Sequence, residues 1–495
     1  MASFPWLTGF ESTQIHGTGK DVLWGTHHLQ RWRHDLELVR ASGVTTLRYP
    51  VPWHRIEARP GRYDWAWMDE VLAYMREAGL EPIVDPIHHT SFPEWIKGGF
   101  ENPRFADLYQ AFVGEFARRY PWVRKYTIFN EPFVTTLFCG SEGIWYPYAR
   151  SQRRFVRMMV QVGRAICGIS EMLQELVPGV ELIHVDTCEH HQAMDAGSRE
   201  KVEFLNHRRF LFHDLITGRI DEAHPLYAYL RHNGFLKKEM RWFRSHPARI
   251  DVLGLDYYSH SEQQRYRNRV RFYRAPARGF AAVAGDYIER YGLPVMLSET
   301  NIKGRVSDRL SWLKHMAEEC GKVVAAGADF RGFCWFPFVD STDWCSLVCR
   351  AEKKVDAVGI YWLDDDRWAR HASELSDCFG RLARGEMSVQ ALPSYRFSPP
   401  WDKALAVYHH LMEHWDWRDT GIPRAALADI MRSKPDGARH EEPRSRPVPG
   451  HGVPHGGAAT AADARRRLSP ENRKRAPGQP RRAVGGLHRG AARPG

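Results

Sequence analysis

Two carboxylates in this chain stand where an acid catalyst would be placed. Glu131 lies in Lys125-Tyr126-Thr127-Ile128-Phe129-Asn130-Glu131-Pro132, a β-branched and aromatic run closed by a proline. Asn130 and Glu131 therefore fall at the carboxyl end of a predicted strand. Glu299 ends a second apolar run in the same way, Leu293-Pro294-Val295-Met296-Leu297-Ser298-Glu299-Thr300-Asn301. Either one alone reads equally well as a solvated strand terminus. The pair is more specific. Two carboxyls at the ends of parallel strands are what cleavage of a glycosidic bond requires. One gives a proton to the leaving oxygen, and the other attacks the anomeric carbon or activates water.

Those two runs need a scaffold that brings their ends together. Apolar runs at 6–10, 44–49, 82–86, 126–129, 180–185, 250–255, 293–299 and 331–336 have strand character. Between them, 30–42, 67–78, 105–120, 155–176, 201–217, 281–291 and 310–326 carry helical spacing. Several of these segments stop at a glycine, as at Gly43, Gly79, Gly218, Gly292 and Gly327. Eight strands alternating with helices predict an α/β fold of the (β/α)8 TIM-barrel type, with its reactive face at the strands' carboxyl ends. An open doubly wound sheet fits less well, because no Gly-x-Gly-x-x-Gly follows the first strand. Residues 341–368 add aromatics and acids, and 404–415 reads as a closing helix.

The formal charge of +11 is unevenly distributed. Residues 433–495 hold fourteen Lys/Arg against five Asp/Glu, so the remainder is nearly neutral. From Asp436 onward there is no aromatic residue, and Pro, Gly, Ala and Arg dominate. Such a composition cannot bury enough apolar surface to fold. The expected organisation is a barrel over 1–430 and a disordered basic tail over 431–495. The tail has no interleaved aromatics for base stacking, so no nucleic-acid partner is expected. The eight cysteines include no Cys-x-x-Cys and read as reduced thiols, with no metal site. The first residues lack a basic segment followed by an apolar one, and no window approaches 18 apolar residues. A cytoplasmic protein with no membrane partner is the expectation; oligomeric state is left open.

With the carboxylates on strands four and seven, the sequence resembles glycoside hydrolase family 1, the retaining β-glucosidases and their relatives. Thr127-Ile128-Phe129-Asn130-Glu131-Pro132 resembles the family's acid/base motif, and Ser298-Glu299-Thr300-Asn301 its nucleophile segment. Glu11-Ser12-Thr13-Gln14-Ile15-His16-Gly17 is similar to the first-strand motif whose glutamine binds sugar. Leu47-Arg48-Tyr49 with Trp53 is similar to the segment whose arginine contacts the nucleophile. His88 falls on a sugar-binding histidine, and Leu253-Gly254-Leu255-Asp256-Tyr257-Tyr258 places Tyr258 beside the nucleophile. Trp335, Asp340-Ser341-Thr342-Asp343-Trp344 and Gly359-Ile360-Tyr361 resemble the segments after strand eight. The likeness spans about residues 4–415.

The resemblance implies a retaining β-glycosidase of β-glucosidase type acting on a carbohydrate, with no cofactor. It implies Glu131 as acid/base and Glu299 as nucleophile. Arg48 and Tyr258 would position the nucleophile, while Gln14, His88, Asn130, Tyr258, Trp335, Asp343 and Trp344 would bind sugar. Three departures bear on this. Asp256 replaces the usual asparagine, Asp343 replaces a glutamate, and Thr-Asn-Ile follows the nucleophile in place of Asn-Gly-x. A transglycosidase, a related β-glycanase or an inactive carbohydrate-binding relative are the alternatives.

Overall fold

In a computed structural model of the chain, the eight apolar runs close into one barrel of parallel strands. Residues 4–16, 18, 20–267, 269–271, 277–344, 354–364, 368–393 and 395 are described. The helix expected over 404–415, the tail over 431–495, and Cys345 and Cys349 lie outside the described residues. The strands are β1 (Trp6–Gly9), β2 (Thr46–Pro50), β3 (Glu81–Asp85) and β4 (Lys125–Tyr126). They continue as β5 (Glu181–Thr187), β6 (Val252–Asp256), β7 (Val295–Glu299) and β8 (Phe330–Trp335). Each pairs with its sequence neighbour, and β8 pairs with β1 to close the ring.

Alternation along the strands decides which side chains face the barrel axis. Leu7, Ile83, Ile183, Val185, Val252, Met296 and Cys334 form a small apolar cluster inside. Their neighbours Leu47, Tyr49, Val84, Leu182, Leu253, Leu255 and Leu297 belong to the larger core beneath the helices. The same parity turns Arg48, Asp85 and Asp256 inward, at or near the carboxyl ends of β2, β3 and β6. Gly254 must stay small, since a Cβ there would lie 2.6 Å from Val185 Cγ2 and 2.7 Å from Ser298 Oγ.

Two elements differ from expectation, each for a visible reason. The strand read over 126–129 is regular only at Lys125–Tyr126. Beyond it the backbone still tracks the barrel wall with irregular partners. Thr127 N–H donates to Val84 O at 2.9 Å, Asn130 N–H to Ile87 O at 3.0 Å and Glu131 N–H to Val185 O at 3.1 Å. The helix read over 201–217 divides into Arg199–Arg208 and Leu211–Ile216. Arg209 turns back at the break, donating to Asn206 O at 3.2 Å and Glu189 O at 3.0 Å. The side chain thus satisfies a carbonyl that the interrupted helix leaves open.

A three-stranded sheet of His190–Ala193, Glu262–Tyr266 and Arg269–Arg271 follows the carboxyl ends of β5 and β6. Helices Tyr227–His232 and Lys237–Ser245 precede β6, and Glu374–Ala383 follows the barrel. Cys139, Cys167, Cys188, Cys320, Cys334 and Cys378 are buried and unpaired. Among the described residues no helix is long and apolar enough to cross a membrane.

The segment after β8 is fastened to the helix His28–Ala41 by a buried ion pair. Arg370 donates from Nε to Asp35 Oδ1 at 2.6 Å and from Nη2 to Asp35 Oδ2 at 2.8 Å. Both side chains are fully buried, and His28 Nδ1 lies 2.7 Å from the same carboxylate. Asp35→Ala leaves a buried guanidinium without its counter-charge. The expected loss of unfolding free energy is about 3–5 kcal/mol, read from urea denaturation. A loss below about 1 kcal/mol would show that the pair does not hold this segment.

Candidate active site

Arg48 is the hub of the carboxyl face of the barrel. Its side chain is only 1% exposed and lies over the Phe336 ring, 4.9 Å from the centroid. Nη1 donates to Glu299 Oε1 at 2.5 Å and to Ser298 O at 3.2 Å. Nη2 donates to Asp85 Oδ2 at 2.7 Å and to Asn130 Oδ1 at 2.6 Å. One planar guanidinium therefore ties the ends of β2, β3 and β7 to the segment after β4.

The two carboxyls singled out in the sequence reach this hub by different backbone devices. Along β7 the register with β6 shifts between Leu297 and Glu299. Consecutive side chains then both serve the interior: Ser298 donates to Asp256 Oδ1 at 2.6 Å, while Glu299 meets Arg48. Glu131 instead sits at φ 45°, a left-handed conformation unusual for a residue with a side chain. Pro132 follows at the first position of the helix Pro132–Leu137, where its missing N–H costs nothing. The second helical residue, Phe133, donates its N–H to Asp186 Oδ2 at 3.0 Å.

Around Glu299 and Asn130 the contacts close into a network. Tyr258 OH donates to Glu299 Oε2 at 2.7 Å, so both nucleophile-candidate oxygens are held. Asn130 Nδ2 lies 3.2 Å from His88 Nε2, and the His88 ring stacks on Phe336. His88 is also 3.4 Å from Glu11 Oε1 and 3.7 Å from Asp85 Oδ2. One carboxylate oxygen from each of Glu131, Asp256 and Glu299 falls within 4.8 Å of the others.

Three carboxyls so close in a buried site cannot all ionise. Burial pushes Glu131 well above the usual carboxylate range, and the charges of Glu299 and Asp186 push the same way against Arg48. Burial likewise raises Asp256, reinforced by Glu299 and Glu131. Burial opposes charge on His88, yet Glu11, Asp85 and Glu299 outweigh it and raise its pKa. His89, 3.7 Å from Glu131 Oε2, is kept neutral by burial beside His88 and Arg48. Three carboxylates can in principle hold a cation. Here Arg48 already faces Glu299 and Asp85, and burial favours the neutral forms of Glu131 and Asp256.

Of the residues singled out in the sequence, Arg48, His88, Asn130, Glu131, Tyr258 and Glu299 come together. Gln14 is buried after β1, with Nε2 3.4 Å from Glu94 Oε1 and its own Oε1 without a partner. Trp335 and Asp343 are tied instead to the segment 354–364. The Trp335 indole N–H donates to Val358 O at 3.0 Å, and Asp343 Oδ1 accepts the Lys354 N–H at 3.1 Å. Asp343 and the neighbouring Trp344 are half-buried. Glu11, Asp85, His89 and Asp186 belong to the site but were not singled out. Asp85 had the same signal as Glu131, an acid closing an apolar run before a proline.

A profile of glycosyl hydrolase family 1 matches residues 8–282. The chain belongs to glycosyl hydrolase family 1. It is a glycosidase of β-glucosidase-like type. Among relatives of this family 1 member, β-glucosidase A of Thermotoga maritima is 23% identical over 378 residues, spanning 68% of this chain and 82% of its own length. A bifunctional β-D-glucosidase/β-D-fucosidase of Bifidobacterium breve is 22% identical over 395 residues, 67% of this chain and 82% of its own. The solved β-glucosidase from Thermotoga maritima in complex with glucoimidazole superimposes with a TM-score of 0.67 at 19% identity. That superposition covers 77% of this chain and 98% of the other, and it bears on the fold alone.

The elevated Glu131 pKa depends on a neighbour's charge as well as on burial, and the two causes are separable. In a carbon-13 NMR titration, the Glu131 carboxyl is expected to titrate well above the ordinary glutamate range. In Glu299→Gln the nearby negative charge is gone, so the midpoint should move down. An unchanged midpoint would mean that burial alone holds the proton.

Proposed function

We propose that the chain is a retaining β-glycosidase that works by double displacement through a covalent glycosyl-enzyme. The observation that carries this reading is the approach of Glu131 and Glu299 carboxyl oxygens to within 4.8 Å. Retaining enzymes hold their two carboxyls about 5–5.5 Å apart, whereas inverting ones leave about 6.5–9.5 Å for a water. Glu299 is the nucleophile: Arg48 and Tyr258 fix both of its oxygens and aim it from the end of β7. Glu131, kept protonated by burial and by Glu299, gives its proton to the leaving oxygen. It then takes a proton from the water that hydrolyses the intermediate. Asn130, held by Arg48 and His88, presents its amide to the sugar 2-hydroxyl, a contact that strengthens as the oxocarbenium character grows.

Role assignment is tested by azide rescue. Glu299→Ala is expected to lose at least about a thousandfold in kcat, because the pair acts as a unit. Added azide restores turnover with an α-glycosyl azide as product. Glu131→Ala is rescued too, but yields the β-azide. The opposite stereochemistry would reverse the two roles.

Sugar choice follows from Asp343. Its side chain is one carbon shorter than the glutamate of the family pattern, about 1.5 Å of reach. One oxygen is already engaged by the Lys354 N–H. A polar subsite left half paired costs on the order of 1–3 kcal/mol. The site therefore discriminates weakly at the sugar 4- and 6-positions and accepts 6-deoxy or axial 4-hydroxyl sugars. That the Bifidobacterium breve relative is named for both glucosidase and fucosidase activity supports this reading. The measurement is kcat/KM for aryl β-glucoside, β-galactoside and β-fucoside, with Asp343→Glu shifting preference toward glucoside. A strong glucoside preference unaltered by that substitution would sink the idea.

A further inference from the structure

On the outer side of β5, behind Glu131, lies a second buried group of chemistry-bearing side chains. Ile183 and Val185 point into the barrel, so His184 and Asp186 share the opposite face. His213, from the helix Leu211–Ile216, packs over them with its ring edge-to-face against His184, centroids 4.6 Å apart. Each of the three offers one ligand atom, and these atoms lie within 4.8 Å of one another. All three residues are more than nine-tenths buried.

Three ring nitrogens of this group lack partners. His184 Nε2 and both ring nitrogens of His213 have no hydrogen bond. A neutral imidazole carries one N–H and one bare nitrogen, so His213 leaves both kinds unmet. Asp186 accepts N–H donors from Phe133 at 3.0 Å and Thr187 at 2.9 Å, which leaves further lone pairs on both oxygens. No cation balances it within the group. Neighbouring Asp214 is engaged elsewhere, by Arg290 at 2.5 Å and His224 at 3.1 Å.

We propose that His184, Asp186 and His213 form a structural site for a divalent cation of the zinc class. Two imidazoles and one carboxylate are a nitrogen-oxygen donor set suited to zinc and poorly suited to calcium or magnesium, which take oxygen ligands. Bonds of about 2.0 Å to a tetrahedral ion need the ligand atoms roughly 3.3 Å apart. Binding would therefore require the three side chains to rotate toward one another. A metal would take both imidazoles in the neutral form and Asp186 as the carboxylate. The Phe133 and Thr187 N–H groups orient the carboxylate, as outer partners of metal ligands do. Phe133 belongs to the helix that begins directly after Glu131, so the ion would brace that helix from behind. The ion itself would take no part in bond cleavage, but the site shares Asp186, whose charge acts on Glu131, with the active site.

The test measures metal, not turnover. The full chain is freed of metal by chelator, incubated with zinc chloride and passed through a desalting column. About one zinc per chain is expected in the wild type and well below that in His184→Gln and His213→Gln. Cobalt chloride in place of zinc should give a visible ligand-field absorption in the wild type that is absent from both variants. Zinc should raise the melting temperature of the stripped wild type by roughly 2–4 °C. Equal metal content in wild type and variants, or a wild type that neither retains zinc nor gains stability from it, would overturn the proposal. In that case a buried water or a proton on Asp186 meets these groups instead. Should one variant fail to fold, the stripped and reloaded wild type still decides the matter.

Discussion

The Arg48 guanidinium is the interaction on which this face of the barrel depends. It is one buried cation placed among the carboxyls of Glu299 and Asp85, with Ser298 O and Asn130 as neutral partners. A buried charge is tolerated only when its hydrogen bonds are met and a counter-charge is close. Here both terminal nitrogens are met by different strand ends while Nε stays unpartnered, so the pairing that lowers the cost of burial also fixes the relative positions of those ends. His88 extends the same logic. Stacked on Phe336 like Arg48, it answers Glu11 and Asp85, whose charges raise its pKa against the effect of burial. Loss of Arg48 would therefore free more than one carboxylate at once.

Backbone irregularity does the complementary work of aiming. A regular parallel strand sends consecutive side chains to opposite faces, so it cannot present both Ser298 and Glu299 inward. The register shift in β7 removes that restriction. At the end of β4 the left-handed φ of Glu131 achieves the same turn without an inserted residue, at a backbone cost of order 1 kcal/mol. The strain persists because both sides of it are fixed. Asn130 N–H and Glu131 N–H are bonded to the neighbouring wall, and Asp186 holds the first turn of the helix that follows.

How much of this was legible in the sequence depended on whether a residue's signal was local. Glu131 and Glu299 were visible because each interrupts a polar-poor run at its end, and the eight runs around them gave the barrel. Asp85 closes Ile83-Val84-Asp85-Pro86 in the same manner, yet its role exists only through Arg48, across the strand boundary. Glu11 and His89 depend in the same way on residues far along the chain. The sheet made by His190–Ala193 and Glu262–Tyr266 was missed because its strands are polar, rich in Gln, His and Arg, and carry no apolar alternation. The break at Arg209 was hidden for a different reason. Helical spacing continues through it, and only the side chain's turn back to Asn206 and Glu189 shows why the helix stops. No motif announces His184, Asp186 and His213, which two elements bring together from opposite sides.

Asp256 changes the proton economy of the proposed double displacement. With an asparagine there, the cluster around Glu299 would hold only the carboxyls of Glu131 and Glu299 and one shared problem of charge. With aspartate there are three, and burial beside Glu299 and Glu131 favours its protonated form. Before reaction, Glu299 carries the negative charge against Arg48, and both neighbours stay neutral. Once Glu299 is esterified in the glycosyl-enzyme, the charge that raised Glu131 disappears, and Glu131 is freed to ionise and act as base. Asp256 feels the same release. Its Oδ1 is held by the Ser298 hydroxyl, while Oδ2 is buried without a partner. Two carboxyls thus compete for one ionisation at the step where only Glu131 can use it. Arg48 cannot settle the contest, because its donors remain fixed on Asp85 and Asn130 on one side and on the Glu299 strand on the other. The hydrogen bonds that each anion receives must decide it. Asp256 has one hydroxyl donor, while Glu131 has the incoming water. Deglycosylation is therefore the half of the cycle in which this chain departs most from a site with asparagine at that position.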